Sequence, residues 1–268
     1  MARKIYLIRN LTPITRAAFP VIDAHNHLWG NWAVEDVVRT MDETGISGYC
    51  DVTGNVRIEF AEGGYMIYPG DINDFFTNCR DRFPERFYCF TMANFASPAD
   101  KPLFTDEKKF IEEFIETLNN HVRWGAKGLK ILKELGLHYR DKNGDLINCN
   151  DERLAPVWEE AGRLKIPVLI HQADPSGFFE PVTPENEHFD SLIKYPSWSF
   201  ADPKYPRKQE LIKRRDDLVK SHPGTIFILP HFANYAENIQ HVSELMDENP
   251  NVYIDFSARL DELGRQPY

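Results

Sequence analysis

Short apolar runs alternate with segments of helical spacing along most of this chain. Phe19-Pro20-Val21-Ile22 is an apolar run bounded by a proline and reads as a first buried strand. Val34, Val37, Val38 and Met41 then recur at helical spacing and stop at Gly45, so residues 34–44 are predicted helical. Further strand runs fall at 46–52, 86–92, 128–132, 166–170, 225–229 and 252–256. Helical patterns lie between them at 71–83, 106–121, 151–164, 208–221 and 236–248. The strand runs are apolar nearly throughout rather than alternating. That is the pattern of a parallel sheet covered by helices on one face and by a packed interior on the other. The alternation predicts an α/β fold of the (β/α)8 TIM-barrel type. The runs number about seven, so the expected barrel stops after its seventh strand and lacks the last βα unit. The longest irregular stretch, 172–207, is rich in Pro, Phe and Trp and has the length of a binding loop or lid.

Composition narrows the function classes. A formal net charge of −10 disfavours nucleic acid or an anionic membrane surface as a bulk partner, since both require a basic patch. No run approaches a membrane-spanning length, and the basic start at Arg3-Lys4 is followed by too short an apolar run for a secretory signal. Cys50, Cys79, Cys89 and Cys149 have no CxxC spacing, which favours reduced, buried thiols and a cytoplasmic protein. No GxGxxG follows the first strand and no GxxxxGK[ST] occurs, so nucleotide-binding doubly wound folds are disfavoured.

The chemistry gathers at the ends of the strand runs. Asp23-Ala24-His25-Asn26-His27 follows the first one, and alternation along a strand places His25 and His27 on one side. Alone, an HxH pair also fits two polar residues where a strand meets a loop. But His171 ends the fifth run, His231 the sixth, and Asp255, Ser257 and Arg259 follow the seventh, while Lys130 lies within the fourth. In a (β/α)8 barrel the strand C-termini share one rim, so these residues would converge. Four imidazoles at one rim suit zinc or a similar divalent ion.

This pattern resembles the amidohydrolase superfamily, and more closely its amidohydrolase-related branch. The anchors are Val21-Ile22-Asp23-Ala24-His25-Asn26-His27, Val168-Leu169-Ile170-His171 and Ile228-Leu229-Pro230-His231-Phe232-Ala233-Asn234. The resemblance implies a metal-dependent barrel domain over 19–268 behind an N-terminal extension of 1–18. It implies His25, His27 and His171 as ligands of a divalent metal, most simply zinc. His231 and Asp255 become the catalytic pair, and Lys130 and Arg259 bind substrate. The implied reaction is hydrolysis of a small amide, ester or lactone by a metal-activated water. The alternatives are decarboxylation or hydration at the same site, or a truncated, inactive remnant. The family's usual aspartate after an eighth strand has no counterpart here, and Asp255 is the one late substitute. The open strand edges of a seven-stranded barrel favour homo-oligomers.

Overall fold

The computed structural model describes residues 15–265 except 31, 62 and 63. The expected extension of 1–18 therefore falls largely outside the described residues. The strands are β1 (Val21–Asn26), β2 (Ile46–Asp51), β3 (Val56–Ala61), β4 (Gly64–Pro69), β5 (Phe87–Cys89), β6 (Leu129–Ile131), β7 (Val168–Ile170), β8 (Phe227–Leu229) and β9 (Val252–Ile254).

β1, β2 and β5 form one parallel sheet, and β6, β7, β8 and β9 form another. An isolated parallel bridge from Thr91 to Leu129 joins them, so the strands follow one another in chain order. All seven predicted strand runs are present, though most are shorter than their apolar runs. Thr225 and Ile226, for example, precede the ladder of β8. β3 and β4 were not anticipated. They form an antiparallel hairpin that leaves the parallel array and returns, with Val56 opposite Pro69. Among the described residues no ladder joins β1 to β9. Even so, the Asp255 carboxylate, just past β9, lies 2.8 Å from the His25 ring in β1. The array is therefore curved enough to bring its two ends together at that contact.

Helices fill the crossovers as their apolar spacing predicts. The long helix Glu107–Trp124 starts at Asp106, whose carboxylate accepts from the Lys109 amide, and buries Phe110, Phe114 and Leu118. The helix Val34–Thr44 ends at Gly45, whose φ of 82° would strain any residue with a Cβ. The main core lies between the parallel strands and these helices, with Phe95, Phe114, Trp158, Val168 and Phe227 fully buried. Each such side chain contributes about 1.5–3 kcal/mol relative to exposure. The 172–207 stretch is folded rather than loose. It carries short helical turns at Ser176–Phe179 and Pro196–Trp198 and a helix at Phe189–Lys194, and packs Phe178, Leu192 and Phe200 against Leu137, Leu211 and Ile212. Among the described residues no helix is long and apolar enough to cross a membrane.

Candidate metal centre

His25, His27, His171 and His231 gather at the C-terminal ends of β1, β7 and β8. The rings of His25 and His231 lie 5.2 Å apart, those of His171 and His231 4.6 Å, and those of His25 and His27 5.7 Å, centre to centre. The imidazoles thus form a chain running from His27 through His25 and His231 to His171. One ligand atom each from His171, Asp174 and His231 falls within 4.8 Å of the others, a spacing that suits a shared ion.

Burial keeps these rings neutral. It lowers the pKa of His25, takes His27 down to about 2 and His231 to about 4, and holds His171 well below the ordinary histidine value. The hydrogen bonds then fix which nitrogen bears the proton. His25 Nδ1 is 2.8 Å from Asp255 Oδ2. Burial alone would raise the Asp255 carboxyl, but hydrogen bonds from His25 and Ser257 outweigh it and keep the group ionised below the usual range. A carboxylate only accepts, so His25 donates from Nδ1. His231 Nδ1 is 2.9 Å from the Ser257 carbonyl oxygen and must donate as well. In both rings Nε2 is left as the lone-pair atom: that of His231 has no hydrogen-bond partner among the described residues, and that of His25 faces Lys130 Nζ at 3.3 Å. His171 Nε2 is buried with no hydrogen-bond partner. Neutral imidazoles with Nδ1 anchored and Nε2 unprotonated are a fitting donor set for zinc or a similar divalent ion.

His231 owes its position to unusual backbone. Residues 231–234 all have φ between 53° and 56°, a left-handed turn without a single glycine. Each such residue costs about 1–2 kcal/mol, so the turn needs anchors. The Asp255 carboxylate accepts from the His231 amide at 3.0 Å, and the Asp255 carbonyl from the Phe232 amide at 2.6 Å. Asn234 donates from its side chain to the Pro230 carbonyl and accepts from the Gln172 amide. The fully buried Arg215 donates to the Ala233 carbonyl.

For three of the predicted site residues the fold fixes the partners. Lys130 is fully buried, with Nζ 3.3 Å from His25 Nε2, inside the histidine cluster. Burial brings its pKa down to about 7. Arg259 is spent on the fold: it pairs through two nitrogens with the buried Asp174, with one contact at 2.9 Å, and approaches Glu262 at 3.4 Å. Its guanidinium is therefore engaged before any substrate arrives. Asp255 is equally occupied, accepting from His25, from the His231 amide, and from the amide and hydroxyl of Ser257.

In the sequence Lys133 reads only as an alternative register to Lys130. Its ammonium lies 5.1 Å from the Phe178 ring centre and 5.2 Å from that of Phe200, with no carboxylate ion pair among the described residues. Burial pulls its pKa below the ordinary lysine value. It borders a cavity of about 160 Å³ lined also by Tyr65, Glu134, His138, Trp198 and Phe200. Glu134 Oε1 accepts from the Tyr65 hydroxyl at 3.0 Å, while Oε2 is buried without a partner. No histidine of the cluster lines this cavity. It adjoins them through Tyr65, whose ring is 6.3 Å from Trp29, which in turn stacks on His27 at 4.0 Å. The only signal for Lys133 in the sequence was its place three residues beyond Lys130.

The amidohydrolase family model matches residues 22–268. None of the curated proteins matches the chain. Among solved structures, an uncharacterized TIM-barrel protein from Bordetella bronchiseptica is 14% identical with a TM-score of 0.48, over 83% of this chain and 58% of that one. The 4-oxalomesaconate hydratase of Rhodopseudomonas palustris is 14% identical with a TM-score of 0.49, over 92% and 78%. A dihydroxybenzoic acid decarboxylase from Polaromonas, solved with manganese and 2-nitroresorcinol, is 13% identical with a TM-score of 0.47, over 88% and 77%. The chain thus spans 58% of the length of the first of these.

Proposed function

Because this chain belongs to the amidohydrolase family, whose model spans residues 22–268, we propose that it is a metal-dependent hydrolase acting on a small amide, ester or lactone. The observation that carries the reading is the donor set: His25 and His231 carry their protons on Nδ1, which leaves Nε2 as the lone-pair atom, shared in His25 only with Lys130, beside a His171 Nε2 with no partner. His25, His27 and His171 would hold the ion, with His231 and Asp174 beside them. Zinc is the ion that this imidazole-rich set favours. A divalent ion bound there supplies a polarised carbonyl and a water acidified to near pH 7.

The chain's own residues do the rest. Asp255 holds His25 and the His231 backbone in place through its hydrogen bonds. Lys130, with a pKa of about 7, releases its proton near neutrality, which removes a positive charge from beside the ligand nitrogens. Lys133 offers its ammonium to an anionic group of the substrate, and Tyr65, Trp198 and Phe200 wall the apolar part away from water.

One observation favours a second reading, a metal-assisted lyase. Asp255 already accepts at both oxygens, so it is poorly placed to serve as the free base that hydrolysis calls for. The test combines metal analysis of the purified chain with a panel of lactones, esters and a β-keto acid. Turnover of a lactone or ester that disappears on chelation and returns with zinc supports the hydrolase. Carbon dioxide release from the keto acid with no ester cleavage supports the lyase. A chain that takes up neither zinc nor manganese overturns both.

A further inference from the structure

Unlike His25 and His231, His27 has no obligate acceptor to settle its proton. Its Nδ1 lies 3.0 Å from the hydroxyl of Thr53, a group that both donates and accepts. The remaining partners of that hydroxyl decide the matter. Trp29 Nε1 is 2.9 Å from Thr53 Oγ1, and an indole N–H only donates, so it occupies one of the two oxygen lone pairs. Asp51 Oδ1 is 2.9 Å from the same oxygen and is held in place by the Thr53 amide at 2.8 Å. The hydroxyl has one proton, and either Asp51 or His27 can take it. Burial raises the Asp51 carboxyl, but the Oδ1 already held by the Thr53 amide stays an acceptor whether or not the group is protonated. The proton therefore goes to Asp51, and the second lone pair of Thr53 accepts from His27 Nδ1–H. Thr53 and Asp51 are both buried, so water does not compete for these bonds.

We propose that Thr53, loaded by Asp51 and Trp29, is the positioning residue that locks His27 in the Nδ1–H tautomer and leaves its Nε2 bare. The lock gives His27 the state that Asp255 and Ser257 impose on His25 and His231, by a separate set of residues at the other end of the cluster. Its consequence for metal uptake rests on the functional reading above; the tautomer does not.

The experiment uses the full chain, metal-free and labelled with 15N in its histidines. Long-range proton–nitrogen correlation reads the tautomer of each ring directly, with His27→Gln identifying the His27 signals. The expected wild-type pattern is Nδ1–H at His27. Thr53→Val removes the acceptor while nearly preserving shape, and should move His27 to the Nε2–H form or to a mixture. Thr53→Ser should restore the wild-type pattern. In zinc titrations Thr53→Val should bind roughly 10- to 100-fold more weakly, the usual effect of losing a group that orients a ligand, and Thr53→Ser should stay close to wild type. A wild-type His27 in the Nε2–H form overturns the proposal, as does an unchanged tautomer in Thr53→Val. Should Thr53→Val fail to fold, the wild-type spectrum decides alone. A wild-type chain with the expected tautomer but no zinc affinity would sink the metal reading and leave the lock standing.

Discussion

At the scale of single residues, the two cations that flank the histidine cluster divide the work differently from their order in the chain. Arg259 is tied to the buried Asp174, whereas Lys133 faces a cavity beside the Phe178 and Phe200 rings, with Glu134 also lining it. Breaking a buried pair strands the other charge. Arg259→Met should therefore cost about 3–5 kcal/mol of stability, read by urea unfolding. Lys133→Met should leave the urea midpoint nearly unchanged and weaken binding of anionic substrates about tenfold or more, the effect of losing a charge-assisted hydrogen bond. The reverse pattern would make Arg259 the substrate cation.

Titration belongs to the same scale. His25, His27, His171 and His231 all have folded pKa values below the ordinary 6.5. Below pH 6.5 the unfolded chain takes up protons that the folded rings refuse, so stability falls as pH drops. Asp255, depressed in the folded state, adds a loss at still lower pH as it becomes protonated. Lys130 acts on the alkaline side: between about 7 and its ordinary value of 10.5 the unfolded state is the more protonated, and stability rises with pH. The melting temperature should thus fall steadily from pH 7.5 to pH 5, and His27→Gln should flatten that slope. A flat wild-type profile would show that the rings are not buried as neutral groups.

At the scale of elements, the left-handed turn after β8 and the folded 172–207 segment do what regular helices and strands cannot. The turn aims His231 by holding four residues in a conformation they disfavour, and Asn234 is its main clasp. Asn234→Ala removes bonds to the Pro230 carbonyl and the Gln172 amide. It should cost about 1–3 kcal/mol, since buried partners are left unsatisfied, and it should weaken zinc binding by displacing His231. Differential scanning fluorimetry with and without zinc reads both effects. Trp198 is only partly buried and lines the cavity, whereas Phe178 is packed into the segment's own core. Trp198→Ala should then raise KM more than it lowers the melting temperature, and Phe178→Ala the opposite.

At the scale of the whole molecule, the seven parallel strands among the described residues leave an apolar seam. Ile22 on β1 is 59% exposed, Tyr253 on β9 54%, and the neighbouring Phe256 62%. Exposed, unpaired strand edges with apolar side chains invite pairing with another chain. This chain should therefore self-associate at micromolar concentration, and Ile22→Lys with Phe256→Lys should shift it toward monomer in sedimentation velocity. A wild-type monomer would mean that the seam is covered by something other than a second copy.

The sequence by itself determined the parallel strands, their order and the identity of the four clustered histidines. Apolar runs of strand length bounded by helical patterns admit few other arrangements, and a histidine at the end of such a run is carried to a common rim. It did not reveal the hairpin β3–β4, although Val56 and Ile58 alternate with the exposed Arg57 and Glu59, because the hairpin's core-facing residues, with Tyr65 and Ile67, form a short antiparallel ribbon inserted between two parallel strands, which the strand–helix alternation does not announce. Nor could it assign the charged groups. Lys130, Lys133, Asp174 and Arg259 carry similar local signals, and which of them meets another depends on contacts such as the one between residues 174 and 259, 85 positions apart. Proton placement was likewise tertiary: Asp255 reaches His25 only because the strand array curves until its ends meet. Periodicity encodes burial along one element. The partner of a polar group is chosen by the packing of several.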